Sequence, residues 1–534
     1  MKKKSLLDKA ENAFNKGIYD EATLLYSNLI SRNPNEFLFY KKRGQCYLRL
    51  ENFEAALLDC AKAVELDNKN IDALSDFGAA LIRCQKIGDA REILEYALEL
   101  DPNHFTSLIN IGNVYQALNM SEKGLKIAMR AIEINPTAAI AYNNLGTALG
   151  DLNLDKESKE AFTTAINLDP TYTNSVINLC NIESKFGNHK ETINLYESLL
   201  NNRKLSLNEI EMIKYYLSYS YLITGQLGKG WDYYEYGFNP IIPAGAKRSV
   251  RKFKQKKWDG ESINLNKLFI WREQGLGDEL EFGSCLADLD NHLQKTEIIL
   301  ECDARLVEIY KRLYPRFEIR FQMVDDDGYT LFNDFDYHIP IGSLPRIYRR
   351  QISDFKKRQI KFNIRADLIN KYKDRLSYYK DKILVGICWR SGTLNVGRNL
   401  HYTNLNDWAL FLTKKELQFV NLQYGECENE IVDFENKFNV KVVRWNDLDL
   451  KNNLEELIAL ISCLDHVVTV ATAVAPISGY VGTNTICLIR EDWIMLGEKD
   501  FLPWSPNVKT LVSRLDESVA TNITKVPALL NFKI

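Results

Sequence analysis

Residues 271–278, Trp-Arg-Glu-Gln-Gly-Leu-Gly-Asp, follow an apolar run from Lys267 to Ile270 and lead into an amphipathic segment. That order predicts a strand, a tight turn and a helix start, with Gly275 and Gly277 letting the backbone bend sharply and approach a ligand closely. Asp278 then falls in the first helical turn, where the partial positive charge of the terminus favours a carboxylate. Three further stretches follow predicted strands: Trp389-Arg390-Ser391-Gly392 with Arg398 and His401 behind it, Gln423-Tyr424-Gly425, and Thr469 to Ala473. Arg390 and Arg398 suit the charge of a phosphate leaving group, and the amides of a helix beginning at Thr472 suit its oxygens. A surface ion pair is the alternative reading of each arginine, and most G-x-G-D turns only join a strand to a helix. Asp325-Asp326-Asp327-Gly328 mimics a D-x-D metal motif but lacks strand context, so it reads as an acidic surface turn and no metal is expected. His338, His401 and His466 read as structural, with His401 the one placed beside a candidate loop.

These loops need a scaffold, and the chain is long enough to supply about three structural units, with 534 residues. A formal net charge of −3 gives no global reason to expect nucleic-acid binding. The ten cysteines are scattered without a C-x-x-C pair or zinc spacing, which reads as buried thiols in a reducing compartment. Met1-Lys2-Lys3-Lys4 resembles the start of a signal peptide, but Asp8, Lys9, Glu11 and Asn12 interrupt the apolar core that would have to follow. No uncharged run approaches the roughly 20 residues of a membrane span. A cytoplasmic protein is expected.

From Lys3 to about Ser206 the chain repeats every 34 residues. One register of small residues runs through Gly44, Gly78, Gly112 and Gly146, with Ala10 and Cys180 at its ends. A second runs Ala22, Ala56, Ala90, Gly124, Ser158, Thr192, and a third Pro34, Asn68, Pro102, Pro136, Pro170. This is the tetratricopeptide pattern of two antiparallel helices per unit, in six clear repeats and a degenerate seventh from Leu207 to about Tyr236. Asn110, Asn144 and Asn178 share one position, so their carboxamides are expected to line the concave groove and hold an extended peptide backbone. The competing reading is that they bond only to neighbouring helices.

Beyond a basic run (Lys247, Arg248, Arg251, Lys252, Lys254, Lys256, Lys257), read mainly as a solvated linker, short β-branched runs alternate with helical patterns. The polar stretch from Asp354 to Asp381 splits them into two groups. The expected divisions are a repeat array over 1–236, a linker over 237–264, and two Rossmann-like halves over 265–375 and 376–534. Ligands should bind at strand C-terminal ends, facing the cleft between the halves.

Together with Gly230-Trp231, Tyr234-Glu235 and Trp258-Asp259-Gly260, the stretch Glu273–Asp278 resembles bacterial tetratricopeptide-repeat glycosyltransferases. The resemblance continues through Ser343-Leu344-Pro345, Gly386–Gly392, Leu422–Gly425, Thr472-Ala473-Val474-Ala475, Asp492-Trp493, Leu496-Gly497 and Pro503-Trp504-Ser505-Pro506. It implies a tetratricopeptide α-solenoid followed by a glycosyltransferase-B fold, related to heptosyltransferases and O-linked N-acetylglucosamine transferases. By that resemblance Asp278 is the catalytic base, with Gly275 and Gly277 on the acceptor side. The implied donor residues are Arg390, Ser391, Gly392, Arg398, Gln423, Tyr424, Gly425, Thr469, Thr472, Ala473, Asp492 and Trp493. Members with the repeat array are implicated in glycosylating proteins, notably flagellins, so a flagellin-like acceptor in the repeat groove is expected. The substrate is then a nucleotide sugar, with no separate cofactor.

Where the family carries a histidine, this chain has Pro476. Together with the Trp-x-x-Leu-Gly and Pro-Trp ending, that departure resembles transferases using CMP-activated nonulosonic acids such as pseudaminic or legionaminic acid. Two alternatives stand beside this reading: a client-binding scaffold or chaperone with a decayed transferase half, and a transferase acting on surface polysaccharide. Nothing in the pattern fixes an oligomeric state.

Overall fold

The structure is a computed structural model that describes residues 2–201, 205–239, 242, 248–261, 265–324, 330–356, 360–392, 401–412, 414–514 and 517–530. It divides into two compact units, residues 1–182 and 183–534.

The repeats form helix pairs, beginning with Lys2–Asn15 and Tyr19–Arg32 and recurring through Ala139–Asp151 and Asp155–Leu168. The small-residue register is a packing requirement. A Cβ added at Gly78 would lie 2.5 Å from Leu94 Cγ, and one at Gly146 would lie 2.6 Å from a Phe162 ring carbon. Alanine at those positions would overpack the contact between the two helices of a pair. A further register, unseen in the sequence, lies in the turn inside each pair: Gly17, Glu51, Gln85, Asn119, Asn153 and Gly187 all take positive φ, from 55° to 76°. That left-handed residue reverses the chain between the helices, and glycine fills it without strain only at the two ends of the series.

The second unit begins with helical segments, including the pair Leu207–Ile223 and Leu227–Tyr234. Two sheets follow. The first contains β1 (Lys256–Lys257), β2 (Lys267–Trp271), β3 (Glu297–Cys302), β4 (Glu318–Phe321) and β5 (Tyr337–Pro340), in the order β1-β5-β2-β3-β4. All its pairings are parallel. The second contains β6 (Ile383–Cys388), β7 (Leu417–Asn421), β8 (Val442–Val443), β9 (His466–Val470), β10 (Asn484–Arg490), β11 (Phe501–Leu502) and β12 (Ser505–Ser513). Its order is β11-β12-β10-β9-β6-β7-β8, parallel except for β11 against β12. In each sheet the chain winds one way and then the other, so the first switches direction beside β2 and the second between β6 and β9. Crevices open at the C-terminal ends of strands at such switch points.

One apolar core runs from the Leu207–Tyr234 helices through both sheets. Trp493 stacks on Tyr234 (5.9 Å between ring centroids) and on Phe282 (6.3 Å), while Trp504 packs edge-on against Trp231, Phe282 and Phe355.

The basic run departs from a solvated linker. Lys256 and Lys257 pair with Tyr337 and His338 as the edge of the first sheet. Arg248 is fully buried and donates to Glu273 at 2.6 and 3.0 Å, to Glu235 at 2.9 Å and to Ser343 at 3.2 Å. Burial would raise the Glu235 carboxyl, but Arg248 and Lys257 outweigh it and hold the group down at about 2. Arg251 likewise makes a double contact with Glu301, at 2.7 and 3.0 Å. Among the described residues, no helix is long and apolar enough to cross a membrane.

Candidate functional site

A cavity of about 560 Å³ lies where the strand ends of the two sheets of the second unit meet. The first sheet supplies Gly275, Leu276, Gly277, Asp278 and Glu281 after β2, and Arg305 after β3. The second supplies Ser391 after β6, Tyr424 after β7, and Ala471 to Ile477 after β9. Cavity and switch points coincide, as the winding of the sheets requires.

On the first side, Gly275 caps the eight-residue helix Leu276–Gly283. Its φ of −69° and ψ of 173° are open to any residue, and Gly277 does not take positive φ either. The expected reason for these glycines, a sharp bend, is therefore corrected. A Cβ on Gly277 would meet nothing within 4 Å, and one on Gly275 would meet only Asp278 Oδ2, at 3.5 Å. Their effect is to leave the cavity wall bare.

Asp278 stands in the first turn of that helix, as the sequence predicts. The loop before it is held firmly. Glu273 is clamped by Arg248, Ser249 Oγ donates to the Glu273 carbonyl at 2.5 Å, and Gln274 donates to the Tyr234 hydroxyl at 2.8 Å. Glu279, next to Asp278, turns the other way, accepting from the Asp303 amide at 2.9 Å and lying 2.9 Å from Arg272 Nε.

On the second side, Gln423 is a buried strut that also lines a neighbouring cavity of about 290 Å³. Its Oε1 accepts from the backbone amides of Trp389 and Arg390 at 3.1 and 2.9 Å, and its amide donates to the Tyr424 carbonyl at 2.9 Å. Arg390 does not line the cavity. Its guanidinium pairs with Glu430 and donates to the Glu426 carbonyl at 2.6 Å, which is the ion-pair alternative. Ser391 and Tyr424 do line it, and the Tyr424 hydroxyl donates to Ser391 Oγ at 3.5 Å. Gly392 packs beneath the Tyr424 ring, where a Cβ would lie 2.9 Å from the ring edge, and Gly425 takes a φ of +83° to turn the chain after β7. Thr469 is fully buried, its hydroxyl donating to the Val470 carbonyl at 2.8 Å.

Thr472 and Ala473 line the cavity, but the helix they introduce, Val474–Val481, offers fewer free amides than the sequence suggests. Val474 N–H donates to Thr472 Oγ1 (3.4 Å) and Ala475 N–H to the Thr472 carbonyl (3.0 Å), while Pro476 has no N–H to give. Asp492 accepts from the Ile494 amide at 3.2 Å, and burial together with Asp278 pushes its carboxyl up to about 6. Trp493 belongs to the aromatic core described above. Arg398 and the acidic turn from Asp325 to Gly328 lie outside the described residues. Among the described residues, no three His, Cys, Asp or Glu side chains are grouped to hold a metal ion. His338 stacks on Phe253 at 3.8 Å and accepts from Trp271 Nε1, and burial lowers it to about 4.

Three charged cavity residues carry no signal in the sequence motifs: Arg305, Lys451 and Glu281. Arg305 is paired with Asp303 at 2.7 and 2.9 Å and donates across the cleft to the Lys451 carbonyl at 2.9 Å, which places its guanidinium at the cavity wall. The position of Arg305 just past a strand end was the available signal.

In the first unit, Asn110 donates to the Ser75 carbonyl and Asn144 to the Ile109 carbonyl, both at 3.3 Å, and Asn178 donates to Asn143 Oδ1 at 3.0 Å. Each amide thus bonds the preceding repeat, which is the neighbour-bonding alternative. A hollow of about 280 Å³ beside them is lined by Asn113, Asn143, Asn144, Asn174 and Asn178 among others.

Comparison with known proteins supports the repeat half most directly. The tetratricopeptide repeat model matches residues 39–70, 105–137 and 139–172. Protein FlbA of Caulobacter vibrioides is 27% identical over 319 residues, spanning 58% of this chain and 53% of that protein. Human RNA polymerase II-associated protein 3 is 34% identical over 117 residues, 22% of this chain and 18% of its own length. A solved tetratricopeptide repeat protein from Parabacteroides merdae covers 45% of the chain at 15% identity, with a TM-score of 0.38, and is itself 95% covered. The chain spans about half of FlbA and less than a fifth of the human protein. The chain therefore carries tetratricopeptide repeats, with a parallel-sheet α/β region after them in the sequence.

Proposed function

We propose that the chain is a glycosyltransferase of the B type, moving a sugar from a nucleotide donor to a serine or threonine hydroxyl of a protein held by the repeats. The observation that carries this is the cavity at two opposed switch points, with Asp278 on one wall and Ser391, Tyr424 and Thr472 on the other. In the reaction the acceptor oxygen attacks the anomeric carbon, the bond from that carbon to the donor phosphate breaks, and the hydroxyl proton passes to Asp278. The leaving phosphate carries negative charge, and Arg305 and Lys451 are the cavity cations able to neutralise it. A CMP-nonulosonate donor and a flagellin-like acceptor follow from the family resemblance and are part of the proposal. The engagement of Arg390 by Glu430 is what favours the scaffold alternative.

The test is the mass of a co-expressed flagellin in a host making the donor. Wild type should add the sugar, and Asp278→Asn should lower transfer by about 10²-fold or more, the scale of general-base catalysis. An unmodified flagellin with wild type, or equal transfer by the variant, defeats the proposal.

A further inference from the structure

Glu281 is the group in the cavity that the mechanism above leaves unused. It lies one helical turn beyond Asp278, so both carboxyls share a face of the helix. The residue is 6% exposed and lines the cavity, and among the described residues its carboxyl makes no hydrogen bond or ion pair. The groups around it are Asp278 on its own helix, Asp492 after β10, Cys487 on β10 and Tyr480 from the helix Val474–Val481. None is a cation, and the Tyr480 hydroxyl is already committed to the Leu280 carbonyl at 2.6 Å. Burial first, and then the negative charges of Asp278 and Asp492, raise Glu281 well above the usual carboxylate range. A carboxyl that keeps its proton offers one O–H donor. Lining the cavity with no protein partner, that donor is available to whatever in the cavity accepts from it.

We propose that Glu281 contacts the substrate: its carboxyl donates a hydrogen bond to an oxygen of the bound sugar, alongside Asp278, which takes the acceptor proton. Two neighbouring carboxyls thereby divide two tasks, one holding a proton and the other receiving one. The inference rests on the glycosyltransferase reading and adds a residue that distinguishes the sugar from its nucleotide.

Calorimetric titration of the full-length protein tests it, using CMP-N-acetylneuraminate, UDP-N-acetylglucosamine, GDP-mannose and ADP-glucose, each against its parent nucleotide. For the sugar nucleotide that binds, Glu281→Leu should weaken affinity roughly tenfold while leaving the parent nucleotide unchanged, the loss expected of one hydrogen bond. Glu281→Gln keeps an N–H donor and should bind the sugar nucleotide near wild-type strength. As pH rises and Glu281 ionises, wild type should lose affinity for the sugar nucleotide and Glu281→Gln should not. Tryptophan fluorescence confirms that both variants fold. If a sugar nucleotide binds and Glu281→Leu holds it as well as wild type, the inference fails and the transferase reading stands. If no sugar nucleotide binds wild type better than its parent nucleotide, both fail.

Discussion

Replacing Arg248 by methionine tests whether the loop leading to Asp278 is held by a buried ion pair or merely passes beside one. The Arg248 and Glu273 side chains are both completely buried and meet at 2.6 Å, while Glu235, the second carboxylate, keeps Lys257 and Ser343 when Arg248 is lost. Arg248→Met therefore strands one fully buried carboxylate, and losing one partner of such a pair costs about 3–5 kcal/mol. At about 2 °C per kcal/mol for a unit this large, the melting temperature should fall by roughly 6–10 °C. The assay isolates the right unit, because all eight tryptophans lie at or after Trp231. The decisive arm is Arg248→Met combined with Glu273→Met, which removes both charges. That double variant should be more stable than Arg248→Met alone, since apolar replacement of a whole buried pair is often neutral or better. Losses that simply add, or an Arg248→Met shift below about 2 °C, would refute a buried pair of this strength.

Two further outcomes follow from the cavity wall. Gly277→Val places its side chain in open space within a helix, so the melting temperature should hold or rise slightly while calorimetric binding of the donor nucleotide sugar is lost; intact binding would mean the ligand sits elsewhere. Asp492 is raised from 3.8 to about 6, so its contribution to stability is greatest below pH 3.8 and is lost as pH climbs through about 6. Asp492→Asn can still accept from Ile494 N–H, so it should match wild type at low pH and exceed it at pH 7 by up to about 3 kcal/mol, read from melting temperature against pH.

The repeats were legible because their packing is local: in the 34-residue register, Gly44, Gly78 and Gly146 each face the partner helix of their own pair. Strands such as His466–Val470 were legible for a similar reason, as β-branched runs bounded by polar residues. What stayed hidden was non-local. Arg248 and Arg251 read as solvated charges because their partners, Glu273 and Glu301, stand 25 and 50 residues downstream. Glu281 carries no local sign that it faces a cavity, since a glutamate on an amphipathic helix usually faces water. The nine-residue strand Ser505–Ser513 was missed because Pro506 and Asn507 open it and its burial alternates irregularly. Among candidate site residues, position after a strand end was informative, while side-chain type was not. Arg390 pairs with Glu430 and Gln423 braces the Trp389 and Arg390 amides, while Ser391 and Tyr424 beside them line the larger cavity.

The aromatic core around Trp231, Tyr234, Trp493 and Trp504 sets a limit on how such a chain can evolve. The Leu207–Tyr234 helices share one core with both sheets, so they are heritable only together with the α/β region. The repeats before residue 182 pack on one another instead, Gly44, Gly78 and Gly146 against the second helix of their own pair and Gly112 against Asn144 of the next. Duplication or deletion of whole units should therefore be tolerated before residue 182 and selected against after it. Lineages could lengthen or shorten the repeat array by whole units while inheriting the cavity unchanged.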